Sequence, residues 1–452
     1  MLTPARSLAR GARTVSRRLG RSGGTTAPGR LLLRLQPNAL GRLGADLQEG
    51  SVLISATNGK TTTAAMLAAA LGSAGRPVVH NRAGSNMAWG VATALLDAGR
   101  EPGQLGLFEV DEAWLPQVAR ELAPRMLVLS NLFRDQLDRY GELELLADRW
   151  AELVAELDGR ARFVLNADDP LVADLGRDRQ GVTWFGVEDD AQALPGMQHA
   201  ADSKHCRNCG TPYAYEAIYM GHLGRYRCPN CGRERPRPGV AATRVTLEGM
   251  EGSRMELRTP AGELSLRLPL PGFYNVYNAV AAAAAALDLG VPADATVAAL
   301  TGFAGSFGRV ETIPIGGRRV SILLVKNPAG ANEVLRTLLL EEGRLDLWLA
   351  LNDRTADGRD VSWIWDADFE LLAGRVRRAT CSGTRAEEMA LRLKYAGVEA
   401  EPVVERDLGA SLDSALAAAP PDGRLFALPT YTALLELRDL LARRGLAKRW
   451  SE

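Results

Sequence analysis

The chain has 452 residues, 46% of them apolar, and its 54 basic and 54 acidic side chains leave no net charge. That length gives room for two or three domains with full cores, and the charge balance excludes the electrostatic excess of a general nucleic-acid binder. No apolar run approaches the ~20 residues that cross a bilayer as a helix.

The first 45 residues carry nine arginines and no acid. No signal-type apolar core follows them. Residues 4–19 read as a short basic helix, either solvated against the domain behind it or drawn to an anionic membrane face. From Ser51 the run Ser-Val-Leu-Ile-Ser predicts a strand, which breaks at Thr57-Asn58-Gly59 before a helical pattern resumes over 62–71. Such a turn aims the free backbone N–H groups of a helix N-terminus at an anion. Lys60 adds a point charge, and Thr61 stands where a P-loop hydroxyl ligates Mg²⁺. Ile54 occupies the first glycine position of the P-loop pattern, so Gly59-Lys60-Thr61 carries the reading only because a strand precedes it and a helix follows. Five of the 54 basic residues are lysine, which makes a lysine at this turn more telling.

Further strands are expected at 52–55, 78–80, 105–110, 126–130, 162–165 and 182–185, with helices such as 143–157 between them. This βα alternation implies a mainly parallel, doubly wound sheet whose ligands gather at the carboxyl ends of its strands. Thr57, Lys60, Glu109 and Asn131 all fall there. Glu109-Val-Asp111-Glu112 offers the oxygen ligands Mg²⁺ needs, and Asn166-Ala-Asp168-Asp169-Pro170 ends another strand.

Residues 198–238 lose all periodicity and hold four of the five cysteines. Cys206-x2-Cys209 and Cys228-x2-Cys231 are separated by eighteen residues, a spacing that folds two knuckles around Zn²⁺. Two disulfides are the competing reading, disfavoured in a nonsecreted nucleotide-binding protein. A site closed by four thiolates is structural. Without a dense basic and aromatic surface the ribbon is not read as binding nucleic acid. Alternating runs over 241–270 predict antiparallel hairpins, and 275–289 an alanine-rich helix. Gly308-Arg309 comes just before a boundary near 312–318. That boundary opens a second, smaller βα series with strands at 320–325, 345–351, 378–381, 402–404 and 425–428.

In this order the motifs resemble the Mur ligase family, whose P-loop reads G-T-N-G-K-T-T-T where this chain has Ala56-Thr-Asn-Gly-Lys-Thr-Thr-Thr63. The four-cysteine insert and the segment N-D-R-T-A-D-G-R-D-V-S-W-I-W-D at 352–366 resemble, more narrowly, the branch that amidates lipid II. The resemblance implies a basic segment over 1–45 and a Mur ligase-type ATP-binding domain over 46–312. A zinc-ribbon insertion at 198–238 interrupts that domain, and a C-terminal Rossmann-like α/β domain at 313–452 contacts a partner. It implies that Lys60 holds the ATP phosphates within the Thr57, Asn58, Gly59 and Thr62 turn, and that Thr61 and Glu109 bind Mg²⁺. Asn166 would sit by the adenine, with Asn275 and Arg309 also facing nucleotide. The implied chemistry moves the γ-phosphoryl group to a carboxylate, and an amine then displaces phosphate from the acyl phosphate. Positioning and charge neutralisation suffice for such a transfer.

Several positions depart from the family. Gln136 replaces a metal-binding histidine, and Tyr274 stands where histidine is common. No lysine lies between Lys60 and Lys204 to be carbamylated, which leaves Glu142 or Glu144 as substitutes. About 50 residues precede the P-loop, too few for a UDP-sugar domain, as expected for a lipid-linked substrate.

Amidation needs ammonia, usually drawn from glutamine by a Cys-His pair. Cys381 is the one cysteine outside the ribbon, and all four histidines precede residue 223, so a partner must supply that pair unless free ammonia or an amino acid is used. The resemblance implies a GatD-type glutaminase whose triad is completed in trans by Asp360, with Asp353 and Asp357 as rivals, ahead of a helix expected over 361–371. Trp363 and Trp365 read equally as interface anchors or core. The expected setting is the cytoplasm, at the inner face of the cell membrane. The rival readings are a stand-alone Mur-type or folylpolyglutamate-type amino-acid ligase and a noncatalytic nucleotide-binding scaffold.

Overall fold

A computed structural model gives the structure of residues 26–81, 85–98, 103–135, 143–157, 159–303 and 310–447. The basic segment at 4–19, Gln136, Glu142 and Arg309 lie outside the described residues.

The first sheet is built from β1 (Ser51–Ser55), β2 (Val78–His80), β3 (Leu105–Glu109), β4 (Met126–Leu129), β5 (Arg162–Asn166) and β6 (Val182–Val187). After a hairpin of β7 (Ala214–Met220) and β8 (Leu223–Arg227), it continues through β9 (Val240–Leu247), β10 (Ser253–Thr259) and β11 (Gly262–Leu268). Among the described residues the order is β11-β10-β9-β6-β5-β4-β1-β3-β2. All pairings from β2 to β9 are parallel, and β9-β10-β11 closes the edge as an antiparallel meander. Every residue of β1, β3 and β4 is buried, as expected of strands covered by helices on both faces.

Alternation along these strands feeds two cores. Val52, Ile54, Met126 and Val128 point to the face covered by α1 (Lys60–Ser73) and α2 (Phe273–Asp288). Leu53, Phe108, Leu127 and Leu129 point to the opposite face, where Trp150 is fully buried. The alanines at 281–286 are at most 1% exposed; their small side chains let α2 pack closely on both α1 and the sheet.

The second sheet comprises β12 (Val310–Ile315), β13 (Arg318–Leu323), β14 (Leu345–Ala350), β15 (Val376–Ser382), β16 (Val403–Val404) and β17 (Arg424–Pro429). Its order is β12-β13-β17-β14-β15-β16, parallel except for β12-β13. The expected mainly parallel, doubly wound α/β fold with a second α/β sheet is therefore present.

The structure differs from the sequence reading in three places. The segment read as a boundary near 312–318 is an edge hairpin, turned by Gly316 and Gly317 at φ 57° and 75°, a left-handed conformation that glycine adopts without strain. The aperiodic insert contains the β7-β8 hairpin between its cysteine pairs. The helix expected over 361–371 is instead two 3₁₀ turns, Ser362–Trp365 and Phe369–Leu372. Arg392 donates to the carbonyls of Ile364 and Ala367, and Asn332 binds both the amide and the carboxylate of Asp368. These contacts occupy groups that a continuous α-helix would have paired internally.

Candidate active site

Gly59 sits between β1 and α1 with φ +91°. A Cβ there would come 1.9 Å from Asn278 Oδ1, so both backbone conformation and space require glycine. α1 begins at Lys60 with no side-chain cap, which leaves the first-turn N–H groups for an anion. Asn131, at the end of β4, holds the turn in place. Its carbonyl accepts from Thr57 N at 2.9 Å and its Oδ1 from Asn58 N at 2.9 Å. Its Nδ2 donates to Asn58 O at 3.0 Å.

The structure brings the proposed magnesium pair together: Thr61 Oγ1 donates to Glu109 Oε2 at 2.6 Å. Glu109 is itself fixed by buried Asn81, which bonds both its N–H and its carbonyl. Lys60 is 8% exposed. Its ammonium donates to Glu112 Oε2 at 2.8 Å, to Thr57 O at 3.4 Å and to Ala56 O. Burial alone would lower its pKa, but the carboxylates of Glu112 and Asp111 outweigh that penalty and hold it above the ordinary lysine value. Lys60 is thus charged, as a phosphate ligand must be.

The second sheet reaches this turn through Lys326 and Asn327. Lys326 pairs with Asp135 and donates to Thr57 O at 3.3 Å, while Asn327 Nδ2 donates to Asn58 Oδ1 at 3.0 Å. The sequence reading missed both residues; the scarcity of lysine that singled out Lys60 applies equally to Lys326. Between the sheets lies a cleft lined by Asn58, Gly59, Asn275, Asn278, Lys326 and Glu333 among others, so that the turn ahead of α1 and the start of the second domain face one another across it. Asn275 Oδ1 accepts from Asn278 Nδ2 at 3.0 Å. Asn166 is fully buried at the end of β5, and its amide nitrogen has no hydrogen-bond partner among the described residues.

The ribbon cysteines place four sulfurs within 4.8 Å of one another. Cys206–Cys231 and Cys209–Cys228 are 3.6 and 3.4 Å apart, close to the edge of about 3.8 Å for a tetrahedron with bonds of about 2.3 Å. Hydrogen bonding, first with Thr211 and then with Asn230, lowers the Cys209 thiol below its ordinary value. These residues fit a tetrahedral metal, and all four cysteines are free of disulfides. Neither nearby histidine belongs to this cluster. His222 is fully buried against Phe133. The insert is tied to the first domain by Arg235 Nε donating to buried Asp168 Oδ1 at 2.6 Å, while Tyr277 of α2 donates to Asp168 Oδ2 at 2.7 Å.

Of the three candidate aspartates, two are engaged inside the chain. Asp357 is 5% exposed and accepts from the backbone and hydroxyl of Thr432. Asp353 pairs with Arg385 at 3.2 Å and accepts from Thr384. Asp360 is exposed and accepts from Ser362, first from its backbone N–H at 2.8 Å; these bonds hold its carboxyl below the usual range. Trp363 packs against the second core, whereas Trp365 is 47% exposed and meets Tyr395 edge-on at 5.7 Å.

An uncapped P-loop beside a hydroxyl–carboxylate pair, in a cleft between two α/β units, defines an ATP-dependent ligase of the Mur type. The Mur ligase middle domain family matches residues 54–231, and the MurT ligase C-terminal family matches residues 324–434. The fold is shared with a pseudomurein peptide ligase type C from Methanothermus fervidus, at TM-score 0.68 and 23% identity over 88% of this chain and 79% of that one. It is shared also with MurF from Acinetobacter baumannii, at TM-score 0.66 and 19% identity over 92% and 80%. The lipid II isoglutaminyl synthase (glutamine-hydrolyzing) subunit MurT of Staphylococcus aureus strain N315 is 32% identical over 96% of this chain and 97% of its own length. The subunit of the same name from Streptococcus pneumoniae is 31% identical over 96% and 95%. The chain belongs to the MurT family of Mur ligases. Mur ligases use ATP and Mg²⁺, and the subunit naming of these relatives implies a complex. No helix among the described residues is long and apolar enough to cross a membrane.

Proposed function

We propose that this chain is the synthase subunit that amidates the D-isoglutamate α-carboxylate of the lipid II stem peptide, with ammonia from a GatD-type glutaminase. The relatives' name and nearly full-length match carry the reading. The Thr61–Glu109 contact beside the uncapped helix supports an ATP site. In this reading the first-turn N–H groups of α1 and the Lys60 ammonium bind the phosphates, and Thr61 and Glu109 hold Mg²⁺, which neutralises phosphate charge. Asn275 and Asn166 are assigned to the nucleoside, as is Arg309 on the family resemblance alone, and Lys326 lines the cleft from the second domain. A substrate carboxylate oxygen takes the γ-phosphoryl group. Ammonia then attacks the carbonyl carbon, phosphate leaves, and a proton is lost to give the amide. The work is done at the inner face of the membrane, where lipid II is presented.

The proposed division is near the expected 312–313, set at the start of β12 because that strand pairs within the second sheet, with the ribbon as an insertion in the first domain. The test is reconstitution of the purified subunits with ATP, lipid II and either glutamine or ammonium. One ADP and one amide per phosphate released is expected. Product formation only when an amino acid is added would sink this reading in favour of a stand-alone ligase.

The ribbon is assigned Zn²⁺, held by Cys206, Cys209, Cys228 and Cys231. Cys228→Ser is expected to reduce zinc from about one equivalent per chain to near zero and to lower the yield of folded protein, because a ligand set of three leaves the knuckles open. Unchanged zinc stoichiometry by elemental analysis would rule the assignment out.

A further inference from the structure

Glu333 lies on α3 (Pro328–Leu338) and lines the cleft between the domains. It is 0% exposed, and neither carboxylate oxygen has a hydrogen-bond partner among the described residues. Burial pushes its carboxyl up to about 7, with Arg336 pulling the other way. Arg336 does not bond to it; that guanidinium donates to the carbonyls of Tyr219 and Gln192 and lies over the Phe273 ring. An acid buried with two free acceptors is costly to the unliganded fold, so the position calls for an external donor.

The register of α3 says which donor. Its N-terminus abuts the phosphate-binding turn: a Cβ on Gly330 would lie 3.9 Å from Asn58 Oδ1. Three residues on, Glu333 is about 4.5 Å farther along the helix axis and lines the same cleft as Gly59, Asn275 and Asn278; a nucleotide held by its phosphates at Gly59 and Lys60 would have its sugar, the next group along, within reach of that position. A phosphate there would be repelled. The adenine edge presents its amine beside ring acceptors that an ionised carboxyl also disfavours. A vicinal diol offers two O–H donors to two free oxygens.

We propose that Glu333 is the ribose receptor, accepting the 2′- and 3′-hydroxyl hydrogens of ATP on its two unpaired oxygens and so selecting ribonucleotides. The assignment rests on the ATP reading above.

The full-length chain, purified with its partner subunit, is titrated calorimetrically with ATP, 2′-deoxy-ATP and 3′-deoxy-ATP in magnesium. Wild type should bind ATP about tenfold or more tightly than either deoxynucleotide, the scale of one hydrogen bond to a charged acceptor. Glu333→Leu should bind all three alike, about tenfold below the wild-type deoxynucleotide level because both hydroxyl bonds are lost, and Glu333→Gln should fall between that level and wild type. The nucleotide-free variants should melt no lower than wild type, since an unsatisfied acid has been removed. A wild-type chain blind to the missing hydroxyls, or a Glu333→Leu chain with wild-type discrimination, overturns the proposal. A Glu333→Gln chain that melts lower yet keeps the ATP preference marks a purely structural acid and overturns it too. Absence of ATP binding by wild type is a separate result: it overturns the nucleotide reading itself, and the ribose assignment with it.

Discussion

Lys60→Ala is expected to reduce ATP-dependent amidation by about 10³-fold, with glutamine or with ammonium as the nitrogen source. Removing one preorganised donor from developing charge typically costs a factor of 10²–10³, and Lys60 supplies a full charge as well as hydrogen bonds. The substitution has a second effect that must be separated from the first. Glu112 is 7% exposed and pairs with Lys60, so losing the lysine strands a buried carboxylate, at roughly 3–5 kcal/mol. The double variant Lys60→Ala with Glu112→Gln removes that uncompensated charge. It should regain most of the lost melting temperature while remaining inactive. Recovery of activity together with stability would mean that Lys60 serves the fold alone, and the phosphate reading would be wrong. Wild-type turnover in the single variant would favour the noncatalytic scaffold.

Asp360→Asn is expected to lower glutamine-dependent amidation by about 10³–10⁴-fold while leaving ammonium-dependent amidation within about twofold of wild type. The third member of a nucleophile–histidine triad orients the imidazole and stabilises its charged form, and an amide in its place costs about 10⁴. The geometry supports Asp360 over its rivals because Asp357 is committed to Thr432 and Asp353 to Arg385 and Thr384. Asp360 keeps an exposed, ionised carboxylate just ahead of the Ser362–Trp365 3₁₀ turn. Asp357→Asn should instead loosen the start of the Tyr431–Arg443 helix, which the Asp357–Thr432 bonds anchor. Equal loss of both activities in Asp360→Asn would refute the role in trans and indicate damage to the synthase site.

How much of this was legible beforehand differs from residue to residue. Local chemistry carried the P-loop: a strand, a glycine that must adopt positive φ, a lysine in an arginine-rich chain, then a helix. Cysteine spacing carried the ribbon, because two ligands on one knuckle are a local matter. The βα alternation carried both sheets, since hydrophobic periodicity records which faces are covered. Gly316 and Gly317 were equally visible, but a pair of glycines marks a linker and a tight hairpin alike, and only the pairing partner across the turn distinguishes them.

The amino-acid sequence by itself therefore determined the fold class, the family, the glycine–lysine turn between β1 and α1 and the four-sulfur cluster, because each rests on residues close in the chain or on repeating patterns. Tertiary structure alone decided the partner of Lys60, the reach of Lys326 and Asn327 across 269 positions to the turn at Thr57 and Asn58, and the isolation of Glu333. It also broke the helix expected at 361–371, where Arg392 and Asn332 took hydrogen-bonding groups that a local helix would have used. The reason is the same in each case: burial and long-range hydrogen bonds outweigh local propensity, and they depend on neighbours that the order of residues does not disclose.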